Sequence, residues 1–481
     1  MLTNAYHLTV LFGSLALLML LVVRGKSIFV VAPLCALVAV TLSGADPVAT
    51  MNGAYMAGFA DYVRRFYLIF ALGAVFGKLM EESGAAITVA NTVGKLLGQQ
   101  RACLSVVLAC ALLTYGGVSL FVVGFSVYPL ALQLFRAANL PRRFIPGAIA
   151  FGSITFTMTS AGSPEIQNLI PIQYLIDEVT RLPLTDARAG WPASVIVSVL
   201  MFGLGQWYLE WVIGRDVARG ERFEPRGDDK VPPPRDSLGA PGGPSFMAAI
   251  TPLVVTLLSL NLLPTVCHGL AARWPSETTV PTSHMLCTLH AVLSRFPEDG
   301  TLSIFLGVVA GAITLRRRLK DMWWCFGEGF VNGLLAVGST SAVVGFGAAV
   351  TGLPAFQMVV SWVTHLPGDP LFSAALAVAV IAGIAGSASG GQGIALPIIK
   401  PIYIDELGVA PRALHRVVAI ASGSLDSLPA NGYLVMLIRN ICGETHARAY
   451  GPIFVTTVLI PALGTATAIV LFKWFPAWGK M

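Results

Sequence analysis

Gly386-Ser387-Ala388-Ser389-Gly390-Gly391-Gln392-Gly393 interrupts a stretch otherwise greasy enough for a bilayer, with Leu376 to Ile384 before it and Ile394 to Pro397 after it. Small and polar residues in such surroundings predict a break in a membrane helix. An unwound backbone in hydrocarbon leaves N–H and C=O groups unpaired, at several kcal/mol each, so it persists only where protein or a water-filled cavity covers it. Such a break is a candidate binding site.

Composition places the whole chain in the membrane. Of its 481 residues, 55% are hydrophobic and 12% charged, against about 25% charge in a soluble domain. Leu8 to Val23, Phe246 to Pro264 and Ile453 to Phe472 are among several apolar windows of membrane-spanning character. The first has Arg24 and Lys26 after it, no positive segment before it and no small-x-small cleavage site, so it is taken as a membrane helix rather than a signal peptide. A net charge of +6 is gathered in short clusters between apolar segments, which argues against nucleic acid and for positive cytoplasmic loops. Those clusters are Arg24 with Lys26, then Arg136, Arg142 and Arg143, then Arg215 to Arg235, and Arg316-Arg-Arg-Leu-Lys320.

A topology follows from these anchors. Leu8 to Val23 enters the cell, Ser27 to Leu42 returns, and Tyr67 to Leu79 enters again, with a polar inner stretch through Arg101. Ala102 to Phe135 is too long for one ordinary span and is interrupted at Tyr115-Gly116-Gly117-Val118-Ser119. Its two basic flanks keep both ends inside, so it is either two thin spans or one re-entrant hairpin. Phe144 to Ile176 crosses outward with a polar break, and Trp191 to Ile213 comes back. Residues 215–245, rich in Pro, Gly and mixed charge, form a cytoplasmic linker. Beyond it the pattern recurs. Phe246 to Pro264, Thr301 to Leu315 and Met322 to Val350 cross; Leu371 to Ile404 makes a second interrupted excursion; Leu414 to Leu437 is broken at Ala421 to Gly432; Ile453 to Phe472 closes. An odd number of crossings per half makes the halves face opposite ways, predicting two inverted repeats, 1–214 and 246–481. Pro141-Arg142 ahead of Ala150-Phe-Gly-Ser-Ile154 is echoed by Pro411-Arg412 ahead of Ala421-Ser-Gly-Ser-Leu425. The fold class expected is an all-α polytopic membrane protein, each repeat holding a re-entrant hairpin and a broken transmembrane helix.

Four polar interruptions therefore converge, and they supply the candidate binding residues. Gly116, Gly117 and Ser119 come from the first hairpin, and Ser387, Ser389, Gly390, Gly391 and Gln392 from the second. Thr159, Ser160, Gly162, Ser163, Gln167 and Asn168 come from the first broken span, and Ser422, Ser424, Ser427 and Asn431 from the second. A half-helix that starts after a break points free N–H groups and partial positive charge at the cavity, so a carboxylate can bind without any Arg. Hydroxyls and amides would bond the carboxylate and neighbouring hydroxyl groups, or else simply bond a neighbouring helix. Glu165 and Asp426 are the acids at membrane depth: each either couples transport to a cation or caps the following half-helix. Lys400, His415 and Arg416 flank the second hairpin and read as interfacial anchors before substrate partners. Arg64, Arg65, Glu81 and Glu82 read as solvated helix ends.

At these residues the chain resembles a known family. YGGVSLFVVGF (115–125), FTMTSAGSPEIQNLIP (156–171), GSASGGQGIALP (386–397) and above all LHRVVAIASGSLDSLPANG (414–432) look like the gluconate permease (GntP) family, nearer its hydroxybutyrate permease-like branch. The resemblance spans nearly the whole chain. It implies an elevator-type homodimeric carrier of the bacterial inner membrane. Such a carrier imports a small hydroxy-monocarboxylate, such as gluconate or 3-hydroxybutyrate, by symport with protons; sodium is the alternative coupling ion, and no cofactor is implied. Where many members read LPHNG, this chain has Leu428-Pro429-Ala430-Asn431-Gly432, so a histidine often found beside the break is missing. The stretch Thr265 to Gly300 is also long and polar for the family.

Other classes fit less well. No strand-Gly-helix context or GKS/GKT sequence supports a nucleotide site, no ring of one residue type suggests a channel, and no HExxH or GxSxG suggests an intramembrane enzyme or a metal. Cys35, Cys103, Cys110, Cys325 and Cys442 read as packing residues. Cys267 and Cys287, in the loop placed outside, are a candidate disulfide, with His268, His284 and His290 as a weaker metal alternative.

Overall fold

The computed structural model describes residues 2–24, 26–225, 243–273, 300–356, 358, 368–429 and 431–480. Among them, six helices are long and apolar enough to cross a bilayer, and five shorter apolar segments accompany them. Regular structure is helical apart from one isolated bridge between Ile176 and Pro183. The chain is the polytopic all-α protein that its composition requires.

Helices α1 (Leu2–Val23) and α2 (Ile28–Leu42) pack as a pair, and α3 (Met56–Glu82) begins well before the predicted Tyr67. The charges that argued against an earlier start are satisfied locally: Asp61 accepts from Arg64 Nη2 and Arg65 Nε at 2.7 Å each. Arg65 also donates to the Gln173 carbonyl and lies over the Tyr174 ring. The stretch expected to be a polar connection contains α4 (Ala85–Leu97), which buries Ala85, Ala86, Val89, Ala90 and Gly94. That spacing is one face of an amphipathic helix. At 13 residues it extends only about 20 Å, too short to cross the bilayer.

Next comes a helical hairpin, α5 (Ala102–Tyr115) on α6 (Leu120–Ala137), then α7 (Ile145–Ala150), which runs on as a π turn through Thr155. Irregular residues 156–165 separate this from α8 (Ile166–Tyr174), and α9 (Trp191–Ala218) follows. The second half continues with α10 (Phe246–Arg273), α11 (Thr301–Leu315) and α12 (Met322–Thr351), then the hairpin α13 (Pro370–Ala385) and α14 (Ala388–Lys400). After these come α15 (Pro411–Leu425) and, beyond a break, α16 (Gly432–Val435) with a π turn to Ile441; α17 (His446–Phe454) and α18 (Ile460–Trp474) close the chain. Helix α9 extends into the predicted linker, whose residues 226–242 lie outside the described set, and α10 extends past the predicted Pro264. Cys287, His284, His290 and the side chains of Cys267 and His268 also lie outside it, so the disulfide and metal readings do too.

Helices α3 and α12 form the most extensive pairing. Gly329 and Gly333 of α12 face Val75 and Ala71 of α3; a Cβ on Gly329 would stand 2.6 Å from Val75 Cα, and one on Gly333 would strike Ala71 Cα. Two small residues four apart let the backbones touch, which is how membrane helices gain packing where lipid gives no hydrophobic drive.

The run that opened the sequence analysis is mostly helical. Only Gly386, with φ +61°, and Ser387 lie between α13 and α14. Ser387 Oγ caps α14 by accepting the Gly390 N–H at 3.1 Å. The glycines serve close approach instead: a Cβ on Gly391 would strike the backbone of Ala382 on the other arm, and one on Gly393 would stand 2.8 Å from the Tyr62 ring. Likewise Ser422 and Ser424 stay inside α15, bonding back to the carbonyls of Ala419 and Ala421, so the second span is broken only at 426–431.

Candidate functional site

The start of α14 meets α8 and α15 in the middle of the molecule. Gln392 is fully buried there, its Nε2 donating to Ser422 Oγ at 2.7 Å and to the Gln167 carbonyl at 3.1 Å. Reversing the amide would set its oxygen against that carbonyl, so the hydrogen-bond network fixes the assignment. Gln392 Oε1 is then a buried acceptor with no partner among the described residues, and so is Gln167 Oε1. Buried polar atoms are nearly always paired, so two orphan acceptors at adjoining helix starts are candidate positions for a donor from outside the protein. Tyr62 of α3, also fully buried, brings its hydroxyl beside Ser389, where it makes no hydrogen bond of good geometry among the described residues. Sequence reasoning missed Tyr62, because a tyrosine inside a helix without a break carries no local signal.

Asp426 faces the same helix start. Its carboxylate accepts from Ser427 Oγ at 3.0 Å and lies against the backbone amide of Ala388, the first residue of α14. The side chain is buried and has no cationic partner among the described residues. Asn431 ties this corner together: Nδ2 donates to the carbonyls of Asp426 and Gly386, and Oδ1 caps α16 through the Leu434 N–H. Tyr450 closes it by donating to the Ser427 carbonyl. Asp426 therefore sits beside the start of α14, which Ser387 caps, while Asn431 caps the half-helix that follows Asp426. Glu165 occupies the N-cap position of α8 and makes no side-chain capping bond.

The remaining candidates of the first broken span hold its shape. Gly162, at φ +78°, a left-handed conformation suited to glycine, donates its N–H to the Ala187 carbonyl and accepts from Asn261 Nδ2. Thr159 bonds back to Thr155, Ser160 bonds Phe156 and Ser198, and Ser163 accepts the Glu165 N–H. Asn168 is fully engaged, Nδ2 on the carbonyls of Ser163 and Ala187 and Oδ1 on His415 Nε2. The first hairpin tip packs on this segment: a Cβ on Gly117 would stand 3.2 Å from Pro164, one on Gly116 would strike Leu253, and Tyr115 donates to the Ala161 carbonyl at 2.7 Å. Ser119 leads α6 without capping it. The two hairpins thus engage different parts of the first broken span: the first through its tip, at residues 161–164, the second through Gln392, at Gln167 in the first turn of α8.

His415 and Arg416 are not interfacial anchors, since both are fully buried. Arg416 donates to three backbone carbonyls, Ala189 at 2.9 Å, Thr159 at 2.5 Å and Ala187 at 3.4 Å. A buried charge is tolerated only when its donors are satisfied, and the kinked segments before α8 and α9 offer carbonyls that helices do not. His415 is held between Thr185 and Asn168. Lys400, in contrast, pairs with Glu178 and Asp405, both largely exposed. Arg412 and Arg142 lead the two broken spans, and each pairs with an acid in the loop after the other one: Arg412 with Asp186 at 2.7 Å, Arg142 with Glu444 at 3.7 Å.

Comparison with known proteins gives the family. The profile of GntP family permeases matches residues 6–205. YxjC, an uncharacterized transporter of Bacillus subtilis, is 34% identical over 465 residues, covering 94% of this chain and 96% of that protein. The chain belongs to the GntP permease family. The inner membrane permease YgbN of Escherichia coli is 24% identical over 322 residues, 64% of each chain. Among solved structures this GntP permease is similar to the YdaH transporter of Alcanivorax borkumensis, with a TM-score of 0.54, 15% identity and 90% of each chain covered. It is also similar to MtrF of Neisseria gonorrhoeae, with a TM-score of 0.51, 13% identity and 90% and 85% covered. At those identities the likeness is one of fold alone. The protein is a membrane transporter, not an enzyme.

Proposed function

We propose that this permease imports a small hydroxy-monocarboxylate across the bacterial inner membrane together with a proton, and that Asp426 carries the proton. The observation that supports the reading is the buried Asp426 carboxylate, held by Ser427 Oγ and facing the start of α14 beside Ala388 with no cationic partner among the described residues. Free N–H groups of a helix start can serve one negative charge there, from the protein or from a substrate. With Asp426 ionised, the position is filled; a substrate carboxylate then meets like charge at a desolvated site, which is costly. Protonating Asp426 removes the negative charge and releases the amide, so proton and substrate enter together. The orphan oxygens of Gln392 and Gln167 and the Tyr62 hydroxyl would receive the substrate's own hydroxyl groups. Alternating access would move this corner as a unit of an elevator, in a homodimer built from two inverted repeats. The crossed pairs Arg412–Asp186 and Arg142–Glu444 support the repeat reading. The same orphan oxygens favour a second reading, a sodium-coupled carboxylate carrier, because Na⁺ is bound by carbonyl-type oxygens in broken-helix sites. An anion channel fits less well, because the site is closed and asymmetric.

Asp426→Asn separates these readings. Asn keeps the shape and removes the titration, so proton-driven accumulation should vanish while exchange of substrate between the two sides persists. Wild-type accumulation by that variant under a pH gradient would sink the assignment.

A further inference from the structure

Between the loop that precedes α9 and the start of α15 lies a cavity of about 510 Å³, bordered by Asp186, Arg188, Trp191 and Arg412, with Ala161 and Gly162 of the first break among its lining. Its charges do not cancel. Asp186 is committed to Arg412, accepting at 2.7 Å, and also accepts the Arg188 backbone N–H at 2.8 Å. The Arg188 guanidinium is 4.0 Å from Asp186, and its side chain remains 39% exposed. Its Nη1 leans on the Asn261 carbonyl and on Thr265 Oγ1 at 2.9 Å, neutral groups that orient it without neutralising it. One turn deeper on α15, Arg416 adds a second cation, and it bonds the Thr159 carbonyl beside the cavity lining. The cavity and the wall behind it therefore carry a net positive charge, between low-dielectric walls that focus the field. Trp191, half exposed at the rim, offers an apolar wall.

We propose that this cavity is an outer capture site for small organic monoanions, in which Arg188 takes the carboxylate in a charge-assisted pair and Trp191 lies along the carbon chain before the anion passes to the break. The proposal rests on the carboxylate reading of the central site, and its test separates the two. Trp191 reports on the cavity directly: the difference between wild type and Trp191→Phe isolates its fluorescence, quenched at low ionic strength by iodide, caesium or neutral acrylamide. Iodide should quench Trp191 several-fold better than caesium, millimolar 3-hydroxybutyrate should protect it, Arg188→Gln should abolish the iodide preference, and Arg188→Lys should restore it. In proteoliposomes Arg188→Gln should raise the KM for 3-hydroxybutyrate about three- to tenfold, leave Vmax within about twofold and flatten the fall of uptake with ionic strength. Equal quenching by the two ions in wild type, or an unchanged KM and salt dependence in Arg188→Gln, overturns the capture site. Iodide preference in a wild-type protein that transports no hydroxy acid leaves the cavity's anion selectivity standing and defeats the central reading instead.

Discussion

Gly391→Ala tests whether the glycines of the second hairpin serve contact rather than unwinding. The added Cβ would reach Ala382 Cβ at 2.5 Å and Ala382 N at 2.7 Å, and would strike its Cα. These are mostly backbone atoms of the facing arm, so no rotamer change relieves the contact, and α13 and α14 must part by roughly 1 Å to restore a normal approach. Overpacking of this kind costs about 1–3 kcal/mol, and the upper end applies because backbone meets backbone. Replacing glycine by alanine inside a helix returns about 0.5–1 kcal/mol. The net loss is about 2 kcal/mol, with Gln392 displaced from Ser422 and Gln167. Gly432→Ala is the matched control, since a Cβ there meets nothing within 4 Å at the first residue of α16. Thermal unfolding in detergent, read beside substrate KM, should show Gly391→Ala several degrees less stable with weakened binding and Gly432→Ala at or above wild type. Equal behaviour of the two variants would refute the packing argument.

Two further substitutions probe residues that lie far apart in the chain. Arg416→Lys keeps the charge but replaces a planar fork with a point donor that cannot reach the carbonyls of Ala189, Thr159 and Ala187 together; about 2–3 kcal/mol of stability should be lost, visible as a lowered melting temperature, and an unchanged one would mean the carbonyl cradle contributes little. Tyr62→Phe removes a hydroxyl that lies beside Ser389 and makes no hydrogen bond of good geometry among the described residues, so stability should change by less than about 0.5 kcal/mol while KM rises about fivefold, the equivalent of one hydrogen bond; lost stability with unaltered KM would make Tyr62 a packing residue only.

The parts of this molecule legible in its sequence are those whose signal is local. A polar residue in an apolar run announces itself, so the helix pairs at Ala102–Ala137 and Pro370–Lys400 and the interruptions of both broken spans were legible in the chain, and Gln392 and Asp426 were singled out as candidates. Gly117 and Ser387 were singled out the same way, as candidate binding residues, and the structure shows one as a positive-φ turn and the other as the cap of α14. Contacts between distant segments were not legible. Arg416 and the Thr159 carbonyl are 257 residues apart, and Gln392 and Gln167 are 225 apart. Nothing near Arg416 in sequence says that two kinked segments will present it with carbonyls instead of lipid headgroups. The same blindness turned the glycine-rich run into an apparent eight-residue break, because small residues suit both unwinding and close packing, and only the neighbour, Ala382, decides. Helix α4 was lost to a different error: its apolar face is made of alanine and valine, weak against the polar residues that share the stretch.

The central claim is that proton and hydroxy acid travel together. Purified protein in proteoliposomes, given labelled 3-hydroxybutyrate, gluconate or glycerate with pH and sodium gradients imposed separately, tests it most directly. The account predicts saturable uptake of at least one of these acids that follows the pH gradient, with about tenfold accumulation per pH unit for one proton per anion, since 1.4 kcal/mol is a factor of ten, and no response to sodium. Uptake of none of them, or uptake indifferent to the pH gradient, would contradict it.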